Sequence, residues 1–146
     1  MKKIKEIGFN DVISVRHTVL RQGKPVESCT FVGDNLQTTT HFGVYIDEKI
    51  VAVISLFLNN NSNFNVSIQY QIRGMAVLQE YQKQGFGALL VKHSEAYILN
   101  KKASFIWFNA RENAVEFYKN LGYIIVGNSF TIPEVGLHYL MKKEIG

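Results

Sequence analysis

The sequence has a single cysteine and two prolines among its 146 residues, and it lacks any long apolar run. Cys29 cannot form an intramolecular disulfide, and the chain has no CxxC pair to bind zinc, so the sequence predicts no metal and favours a reducing compartment. No apolar stretch approaches the roughly 20 residues that a membrane-spanning helix needs. Glu6, Asn10 and Asp11 interrupt the position where a signal peptide has its apolar core. We therefore expect a cytoplasmic protein without a membrane partner.

Excess charge is also small, because 16 Lys and Arg residues stand against 12 Asp and Glu residues, which leaves a net charge of +4. The basic residues are dispersed, so nucleic acid is not the expected partner, whereas a phosphorylated cofactor or an acidic substrate is compatible. The 47% hydrophobic content excludes wholesale disorder. A chain near 150 residues buries roughly 70% of its unfolded surface in one core. Residues 1–146 are therefore predicted to form a single domain.

Hydrophobic periodicity and turn residues predict alternating strands and helices. The predicted elements are a strand over 3–7, a helix capped by Asn10 or Asp11, a loop over 22–40 that can carry one short helix, a hairpin of strands 41–46 and 50–58, a strand over 65–77, a helix starting near Phe86, a strand over 104–108, a helix over 110–121, and strands over 123–130 and 137–142. Strands joined through helices imply a parallel pair, whereas hairpins are antiparallel. The sequence thus predicts an α/β fold with a mixed sheet and helices on its faces.

Three local patterns add detail to this outline. Gly74 interrupts the alternation of the 65–77 strand, which is typical of a bulge or of a close approach by another backbone or a ligand. Gly122 follows the 110–121 helix at the position of a C′ glycine. The helix after residue 85 has its predicted apolar face at Phe86, Leu89, Leu90, His93 and Tyr97.

The most informative stretch is a turn containing Gly85 and Gly87, between a predicted strand and a predicted helix. The N–H groups of a helix's first turn have no intrahelical partner, and they lie at the positive end of the helix dipole. Glycines there let a phosphate approach closely, and Lys83 adds positive charge beside it. Alternatively, the glycines only permit a tight turn. The sequence has neither a P-loop nor a complete GxGxxG motif, so a diphosphate ligand of another kind is favoured.

Two segments resemble motifs of the GNAT superfamily of N-acetyltransferases. The first, Gln82-Lys83-Gln84-Gly85-Phe86-Gly87-Ala88, resembles the family's Q/R-x-x-G-x-G/A acyl-CoA motif and follows a strand over 72–77. The second, residues 114–123, resembles the A-x-x-F/L-Y-x-x-x-G-F/Y helix. The order and spacing of both agree with the family, and the resemblance covers roughly residues 40–142.

The resemblance implies a single-domain fold with a twisted, mostly antiparallel mixed sheet. That sheet would have about six to seven strands, splayed between two parallel strands and flanked by about four helices. The resemblance further implies acetyl-CoA or another acyl-CoA as co-substrate and no metal. Backbone N–H groups of residues 84–88 would hold the pyrophosphate, while Met75 and Val77 would bind the pantetheine arm through their backbones. The implied cofactor-binding residues are Met75, Ala76, Val77, Gln82, Lys83, Gln84, Gly85, Phe86, Gly87, Ala88, Asn109, Arg111, Asn113 and Tyr118.

One position departs from the family pattern. Seven residues before Tyr118, where many relatives have an asparagine, this chain has Arg111. Asn109 and Asn113 lie two residues to either side. All three are therefore candidates to contact the arm or the phosphates.

The resemblance also implies a role for Tyr118 as the general acid that protonates the departing CoA thiolate. The alternative is a half-buried aromatic with its hydroxyl in water. The general base is not identified, although His138 is preferred and Glu134 is the second candidate, because both flank the last strand. His41 and Glu80 are further candidates, and for each of the four the favoured interpretation is a solvated side chain and not a base. His93 is interpreted as a core histidine.

Three residues near the start of the chain are candidates to line an acceptor pocket. Arg16 and Arg21 fall on the first helix, Cys29 follows in the long loop, and an arginine there can bind a carboxylate. The plainer interpretation is two exposed arginines and a buried thiol. Trp107 is interpreted mainly as core, although it can flank the splayed strands.

The sequence accordingly predicts an acyl-CoA-dependent N-acyltransferase. It would move acetyl from acetyl-CoA to a small-molecule or peptide amine by direct attack in a ternary complex. Cys29 lies far from both motifs and has no neighbouring histidine, so an acyl-enzyme is not indicated. The alternatives are a non-catalytic acyl-CoA sensor and a small basic nucleic-acid-binding module. The acceptor and the oligomeric state are not specified, and a homodimer is compatible with the sequence.

Overall fold

A computed structural model describes all residues from Met1 to Gly146. Its strands are β1 (Lys2–Ile7), β2 (Thr40–Ile46), β3 (Lys49–Leu58), β4 (Tyr70–Val77), β5 (Phe105–Arg111), β6 (Ile124–Ile132) and β7 (Gly136–Glu144). Its helices are α1 (Phe9–Leu20), α2 (Phe86–Asn100) and α3 (Val115–Asn120), with 3₁₀ turns at Val26–Cys29, Gln79–Tyr81 and Glu112–Ala114. Three α-helices stand where about four were expected. No helix is both long and apolar enough to cross a membrane.

The seven strands follow the order β1-β2-β3-β4-β5-β7-β6. The pairs β1/β2, β2/β3, β5/β7 and β6/β7 are antiparallel. The start of β4 pairs with β5 in parallel, Tyr70 opposite Ile106 and Gln71 opposite Trp107. The predicted mixed, mostly antiparallel sheet is therefore confirmed. The chain divides into two compact units, one of Met1–Leu58 with Ile72–Tyr97 and one of Asn59–Gln71 with Ile98–Gly146.

In the first unit, α1 packs its apolar stripe onto the sheet. Val12 and Val15 are buried with Val53 and Ala76. The helix starts two or three residues earlier than predicted, because Gly8 is the N-cap and Asn10 is already helical. Asp11 instead reaches back, and its carboxylate accepts the Gly8 N–H at 3.2 Å. The prediction of a cap at Asn10 or Asp11 was wrong, because Gly8 is the N-cap and Asp11, at the third helical position, accepts the N–H of that cap residue.

The buried face of α2 differs slightly from the apolar face predicted for it. Phe86 and Leu90 are buried as expected, whereas Leu89 is only half-buried. Its buried stripe continues through Val91, Ser94 and Ile98. The half-buried His93 and Tyr97 contact the Phe42 ring edge-on, with ring centroids 4.6 and 5.3 Å away.

The predicted strand over 65–77 begins only at Tyr70. Val66 and Ile68 are exposed, while Gln69 between them is buried, so the alternation is opposite to that of a core-facing strand. The Gln69 side chain instead orders the preceding loop. Its Nε2 donates to the Val66 carbonyl at 2.9 Å and its Oε1 accepts the Asn61 N–H at 2.8 Å.

The predicted helix over 110–121 is also shorter than expected. Ala110 and Arg111 belong to β5, because antiparallel pairing with β7 continues as far as Arg111 opposite His138. A 3₁₀ turn then leads into α3, which ends as predicted at Gly122 with φ +96°. The Tyr123 N–H donates to the Tyr118 carbonyl and the Gly122 N–H to the Lys119 carbonyl, which is a Schellman cap.

The second unit has its own small core. Phe105, Trp107 and Leu140 are buried together, with Phe64 packed against them. The Trp107 indole N–H donates to the Asn59 carbonyl at 2.9 Å. This arrangement agrees with the interpretation of Trp107 as a core residue.

Candidate functional site

The glycine turn forms an exposed loop between a 3₁₀ turn and the start of α2. Residues 82–85 are exposed, and both Lys83 and Gly85 adopt positive φ angles, +63° and +88°. The first intrahelical bond runs from the Leu89 N–H to the Gly85 carbonyl at 3.0 Å. The N–H groups of residues 86–88 therefore lie in the first helical turn, where no intrahelical acceptor exists. A Cβ at Gly85 would meet no atom within 4 Å, so space is open beside the loop.

Two glutamine side chains hold this loop against the residues before it. Gln82 Nε2 donates to the Val77 carbonyl at 2.9 Å, and Gln84 Nε2 donates to the Glu80 carbonyl at 3.2 Å. The Leu78 N–H donates to Val51, which fixes the end of β4. Sequence reasoning assigned Gln82 and Gln84 only to ligand binding. In the structure their side chains position the turn, a role that a motif pattern does not reveal.

The end of β4 carries three of the predicted cofactor-binding residues, Met75, Ala76 and Val77. Ala76 is buried in the core of the first unit, whereas Met75 and Val77 are half-buried. Side chains alternate along a strand, so Ala76 contributes to packing while Met75 and Val77 turn to the other face. Any contact of Ala76 with a ligand therefore involves its backbone.

A buried polar network, here called the Arg16 cluster, joins Arg16, Cys29, Asp34, His41 and Ser55. Arg16 forms a bidentate ion pair with Asp34, at 2.7 Å from Nη1 to Oδ2 and 2.9 Å from Nη2 to Oδ1. Nη1 also donates to the Cys29 carbonyl and Nη2 to Ser55 Oγ. Arg16 and Asp34 are 0% and 3% exposed. Such a pair fixes geometry strongly because neither charge has access to water.

The histidine of the cluster is held by both ring nitrogens. His41 Nε2 lies 2.9 Å from the Asp34 carbonyl and Nδ1 lies 2.6 Å from Ser55 Oγ. Since a carbonyl only accepts, Nε2 carries the hydrogen and Nδ1 accepts from the Ser55 hydroxyl. Burial lowers the pKa of His41 despite the Asp34 contacts that favour its charged form. His41 is therefore a neutral histidine at neutral pH, and the use of both its ring nitrogens inside the cluster argues against it as the general base.

The carboxylate of the cluster is kept charged by its partners. Burial by itself would raise the pKa of Asp34, but hydrogen bonds from Arg16 and from the Phe31 N–H, together with the Arg16 charge, lower it below its ordinary value. One atom is left over, because Arg16 Nε is buried without a hydrogen-bond partner. A Cβ at Gly74, where φ is +63°, would lie 3.0 Å from that Nε and 3.0 Å from the Phe31 ring. The predicted close approach at Gly74 is thus to Arg16 and Phe31.

The predictions for the first helix need correction. Arg16 is neither an exposed arginine nor a free lining residue, because all its Nη groups are used inside the protein. The sequence did carry a signal, since Arg16 falls on the helical stripe of Val12, Val15 and Val19, where a charge is buried only if paired. Cys29 is 0% exposed, which agrees with a buried thiol. Arg21 is half-buried.

In the second unit, Tyr118 projects from α3 into a group of aromatic rings. It is 6% exposed, and its ring centroid lies 4.2 Å from that of Phe108, 5.0 Å from Phe117 and 6.0 Å from Tyr123. Burial raises the pKa of the Tyr118 phenol well above its ordinary value. The phenol is therefore protonated at neutral pH and can act as a proton donor, but not as a base.

The two preferred base candidates lie on and beside β7 and differ in environment. His138 is 4% exposed, and its Nδ1 donates to the Gly136 carbonyl at 2.8 Å. In the neutral tautomer that bond leaves the Nε2 lone pair available to accept a proton. Glu134 is an exposed turn residue with φ +65°. Glu80, in the 3₁₀ turn before residue 82, is exposed and lies 3.9 Å from Lys49 Nζ.

Asn109, Arg111 and Asn113, the candidates at the position where the sequence differs from the family pattern, lie at or just beyond the end of β5. Asn109 is exposed and pairs with Leu140 in the sheet register, Arg111 is the half-buried last residue of β5, and Asn113 is exposed in the following 3₁₀ turn. Their placement does not single out one of them. No group of three or more His, Cys, Asp or Glu side chains is arranged to hold a metal ion.

Comparison with known proteins gives consistent results. Residues 14–123 match the model of the acetyltransferase (GNAT) family. The chain is 30% identical over 145 residues to YitI of Bacillus subtilis (strain 168), an uncharacterized N-acetyltransferase, and the match covers 99% of this chain and 97% of YitI. It is 26% identical over 119 residues to an uncharacterized N-acetyltransferase of Bacillus cereus (strain B4264), covering 76% and 73% of the two chains.

Solved structures share the same fold at low sequence identity. An aminoglycoside 6′-N-acetyltransferase crystallised with coenzyme A superimposes with a TM-score of 0.78 at 14% identity, covering 97% of this chain and 96% of the other. The ribosomal-protein-S18-alanine N-acetyltransferase of Escherichia coli gives a TM-score of 0.77 at 16% identity, covering 99% and 94%.

Proposed function

The chain belongs to the acetyltransferase (GNAT) family and is an N-acetyltransferase, and we propose that it transfers the acetyl group of acetyl-CoA to a primary amine by direct attack in a ternary complex. The acceptor class is a small-molecule or peptide amine. The cytoplasmic location stays a prediction from the sequence, where a reducing compartment suits a protein with one free cysteine.

The observation that supports this proposal is the exposed turn at the start of α2. Residues 86–88 present N–H groups without intrahelical acceptors, at the positive end of a helix that runs to Asn100. Gly85 leaves open space, and Lys83 adds a positive charge in the same exposed loop. A diphosphate suits this arrangement because its oxygens accept several N–H bonds at once. The backbone of residues 84–88 would therefore hold the pyrophosphate of the cofactor.

The strand before the turn would bind the rest of the cofactor. The half-buried residues Met75 and Val77 are proposed to bind the pantetheine arm through backbone groups. One N–H would polarise the thioester carbonyl, which stabilises the developing oxyanion without reorganisation. The Val77 carbonyl already accepts from Gln82, so its orientation is fixed before any ligand arrives. The predicted splaying of β4 and β5, and the contributions of Asn109, Arg111 and Asn113, remain part of this proposal.

The reaction needs one proton donor and one proton acceptor. The amine nitrogen attacks the thioester carbonyl carbon, the C–S bond breaks, and the sulfur leaves as thiolate. Tyr118 is proposed to give the thiolate its proton. Burial keeps its phenol protonated at neutral pH but raises its pKa and so weakens it as an acid, and the support for this role is the place of Tyr118 in the second motif. His138 is the preferred acceptor of the proton that the incoming ammonium loses before attack, through Nε2, with Glu134 second. The second proton that the nitrogen loses as the amide forms replaces the one that Tyr118 gives to the thiolate. An acyl-enzyme on Cys29 is disfavoured because that residue is fully buried.

A thiol-release assay tests the proposal with purified protein, acetyl-CoA and a panel of amines. We expect Tyr118→Phe to lower kcat about 100- to 10,000-fold and to lower acetyl-CoA affinity far less, because a general acid acts in the chemical step. Tyr45→Phe removes a hydroxyl elsewhere and serves as the matched control. Equal turnover by Tyr118→Phe would remove the general-acid assignment.

The thiol-release assay, together with acetyl-CoA and DNA binding, separates the alternative functions. A non-catalytic sensor would bind acetyl-CoA but release no thiol with any amine. A nucleic-acid-binding module would show salt-dependent retention on DNA and no rise in melting temperature with acetyl-CoA.

A further inference from the structure

Arg73 on β4 is a half-buried arginine without a carboxylate partner. Its guanidinium carbon lies 4.4 Å from the Phe31 ring centroid and 5.4 Å from that of Phe57. The nearby carboxylate, Asp34, is already occupied by both Nη groups of Arg16 and by the Phe31 N–H. A stacked guanidinium keeps its plane fixed while its N–H edge remains able to bind an anion with two parallel hydrogen bonds.

The charges around Arg73 leave a positive excess in this part of the first unit. Burial lowers the pKa of Arg73, and the positive charges of Arg16 and Arg21 lower it further, whereas Asp34 acts in the opposite direction. The guanidinium groups of Arg16, Arg21 and Arg73 thus share one carboxylate, that of Asp34, and Asp34 already forms an ion pair with Arg16. A cation that is partly removed from water and has no carboxylate of its own within the protein gains most from an anion supplied by a ligand.

The position of Arg73 in the chain connects this charge to the proposed reaction. Arg73 directly precedes Gly74, where φ is +63°, and lies two residues before Met75, so at most about 7 Å of chain separates the two. The proposed thioester-binding backbone begins at Met75. Phe31 packs between the two arginines, with its centroid 3.9 Å from the Arg16 guanidinium carbon, so the loop after α1 is held beside Arg73.

We propose that Arg73 binds a carboxylate of the acyl acceptor, so that the acceptor is a carboxylate-bearing amine such as a free amino acid or a peptide. This inference rests on the proposed function and adds the substrate class. The carboxylate is bound and released unchanged, while the amine takes the acetyl group. Phe31 and Phe57 hold the guanidinium in place, and Arg21 adds positive charge.

The test compares matched pairs of amines that differ only in the carboxylate. One pair is 4-aminobutanoate and 4-aminobutanamide, and a second is a short peptide with a free or an amidated C-terminus. The ratio of kcat/KM for acid over amide is measured by thiol release in four proteins: the wild type, Arg73→Gln, Arg73→Lys and the control Lys3→Gln. Lys3→Gln removes one positive charge from an exposed position on β1.

We expect the wild type to prefer the acid about 10- to 100-fold in at least one pair, since a hydrogen-bonded charged group contributes that much. The acid-over-amide ratio should fall to near one in Arg73→Gln. It should take an intermediate value in Arg73→Lys, which keeps the charge but loses the two parallel N–H donors of the guanidinium. It should stay unchanged in Lys3→Gln. A preference confined to the aminobutanoate pair identifies a small-molecule acceptor, and one confined to the peptide pair identifies a peptide acceptor.

Three results would overturn the carboxylate assignment. They are equal use of acids and amides by the wild type, an unchanged preference in Arg73→Gln, and no thiol release with either acid while acetyl-CoA still binds. In all three the cofactor site stands. Failure of the wild type to bind acetyl-CoA would instead overturn the proposed function. Thermal melting of each variant checks folding, and Arg73→Lys gives the comparison if Arg73→Gln is unstable.

Discussion

Substituting Asp34 by asparagine should strongly destabilise the protein. The change keeps the size of the side chain but removes the charge that pairs with Arg16. Arg16 would then be a fully buried guanidinium without a counter-ion, still donating to Cys29 and Ser55. Its Nε is already unsatisfied, so the site has no spare acceptor to compensate.

The expected size follows from the burial of the pair. Removing one partner of a buried ion pair costs about 3–5 kcal/mol, because the remaining charge stays desolvated. For a domain near 150 residues, that loss corresponds to a fall in Tm of roughly 6–20 °C. The loss should be nearly constant at neutral and mildly acidic pH. The folded pKa of Asp34 is lowered, so its charge stabilises the fold above its ordinary pKa of 3.8 and loses that effect as the pH falls through the lowered pKa.

Urea unfolding followed by circular dichroism measures the free energies. The exposed pair of Glu116 and Lys119, 3.8 Å apart, provides a control, since Glu116→Gln should change stability by no more than about 1 kcal/mol. In a double-mutant cycle with Arg16→Met, the combined loss should be smaller than the sum of the single losses. A loss below about 1 kcal/mol in Asp34→Asn would refute the reasoning that this pair fixes the loop after α1.

Two further predictions concern the same region. Burial lowers the pKa of His41, so the unfolded chain protonates His41 at a higher pH than the folded protein does. The stabilising contribution of neutral His41 is therefore fully present above about pH 6.5, and it is lost as the pH falls from there through the pKa of the folded protein. His41→Gln should therefore flatten the dependence of unfolding free energy on pH between 7 and 5, measured by urea unfolding. Equal slopes in the wild type and in His41→Gln would contradict this. Gly74→Ala should lower stability by about 1–3 kcal/mol, because an alanine at positive φ is strained and its Cβ would press on Arg16. Gly23→Ala, at positive φ but in open space, should cost less in thermal melting, and an equal cost would show that the close approach does not matter.

The features that sequence reasoning predicted correctly depend on local patterns. The hairpin of β2 and β3, the start of α2 and the glycine that ends α3 follow from residues adjacent in the chain. In each case the backbone requirement, such as positive φ at Gly122, belongs to a residue type that few others can replace. The exposed turn at Gly85 was predictable for the same reason.

The features that were missed depend on distant partners. Arg16 pairs with Asp34 and contacts Ser55, 39 residues away in sequence, so no local pattern reveals that its charge is compensated. The predicted start of β4 at residue 65, five residues before the observed start at Tyr70, was wrong for a similar reason. Val66 and Ile68 alternate like a strand, but Gln69 is the buried residue, because its amide satisfies groups of the asparagine-rich loop.

The central claim is that backbone amides around residues 84–88 bind the diphosphate of acetyl-CoA. Isothermal titration calorimetry of the purified protein with acetyl-CoA and with CoA tests it directly. We predict saturable binding at one site per chain, and we predict its loss in Gly87→Val, where a branched side chain would occupy the place of the diphosphate in the first turn of α2. An absence of heat with the wild type, or normal binding by a folded Gly87→Val protein, would contradict the claim.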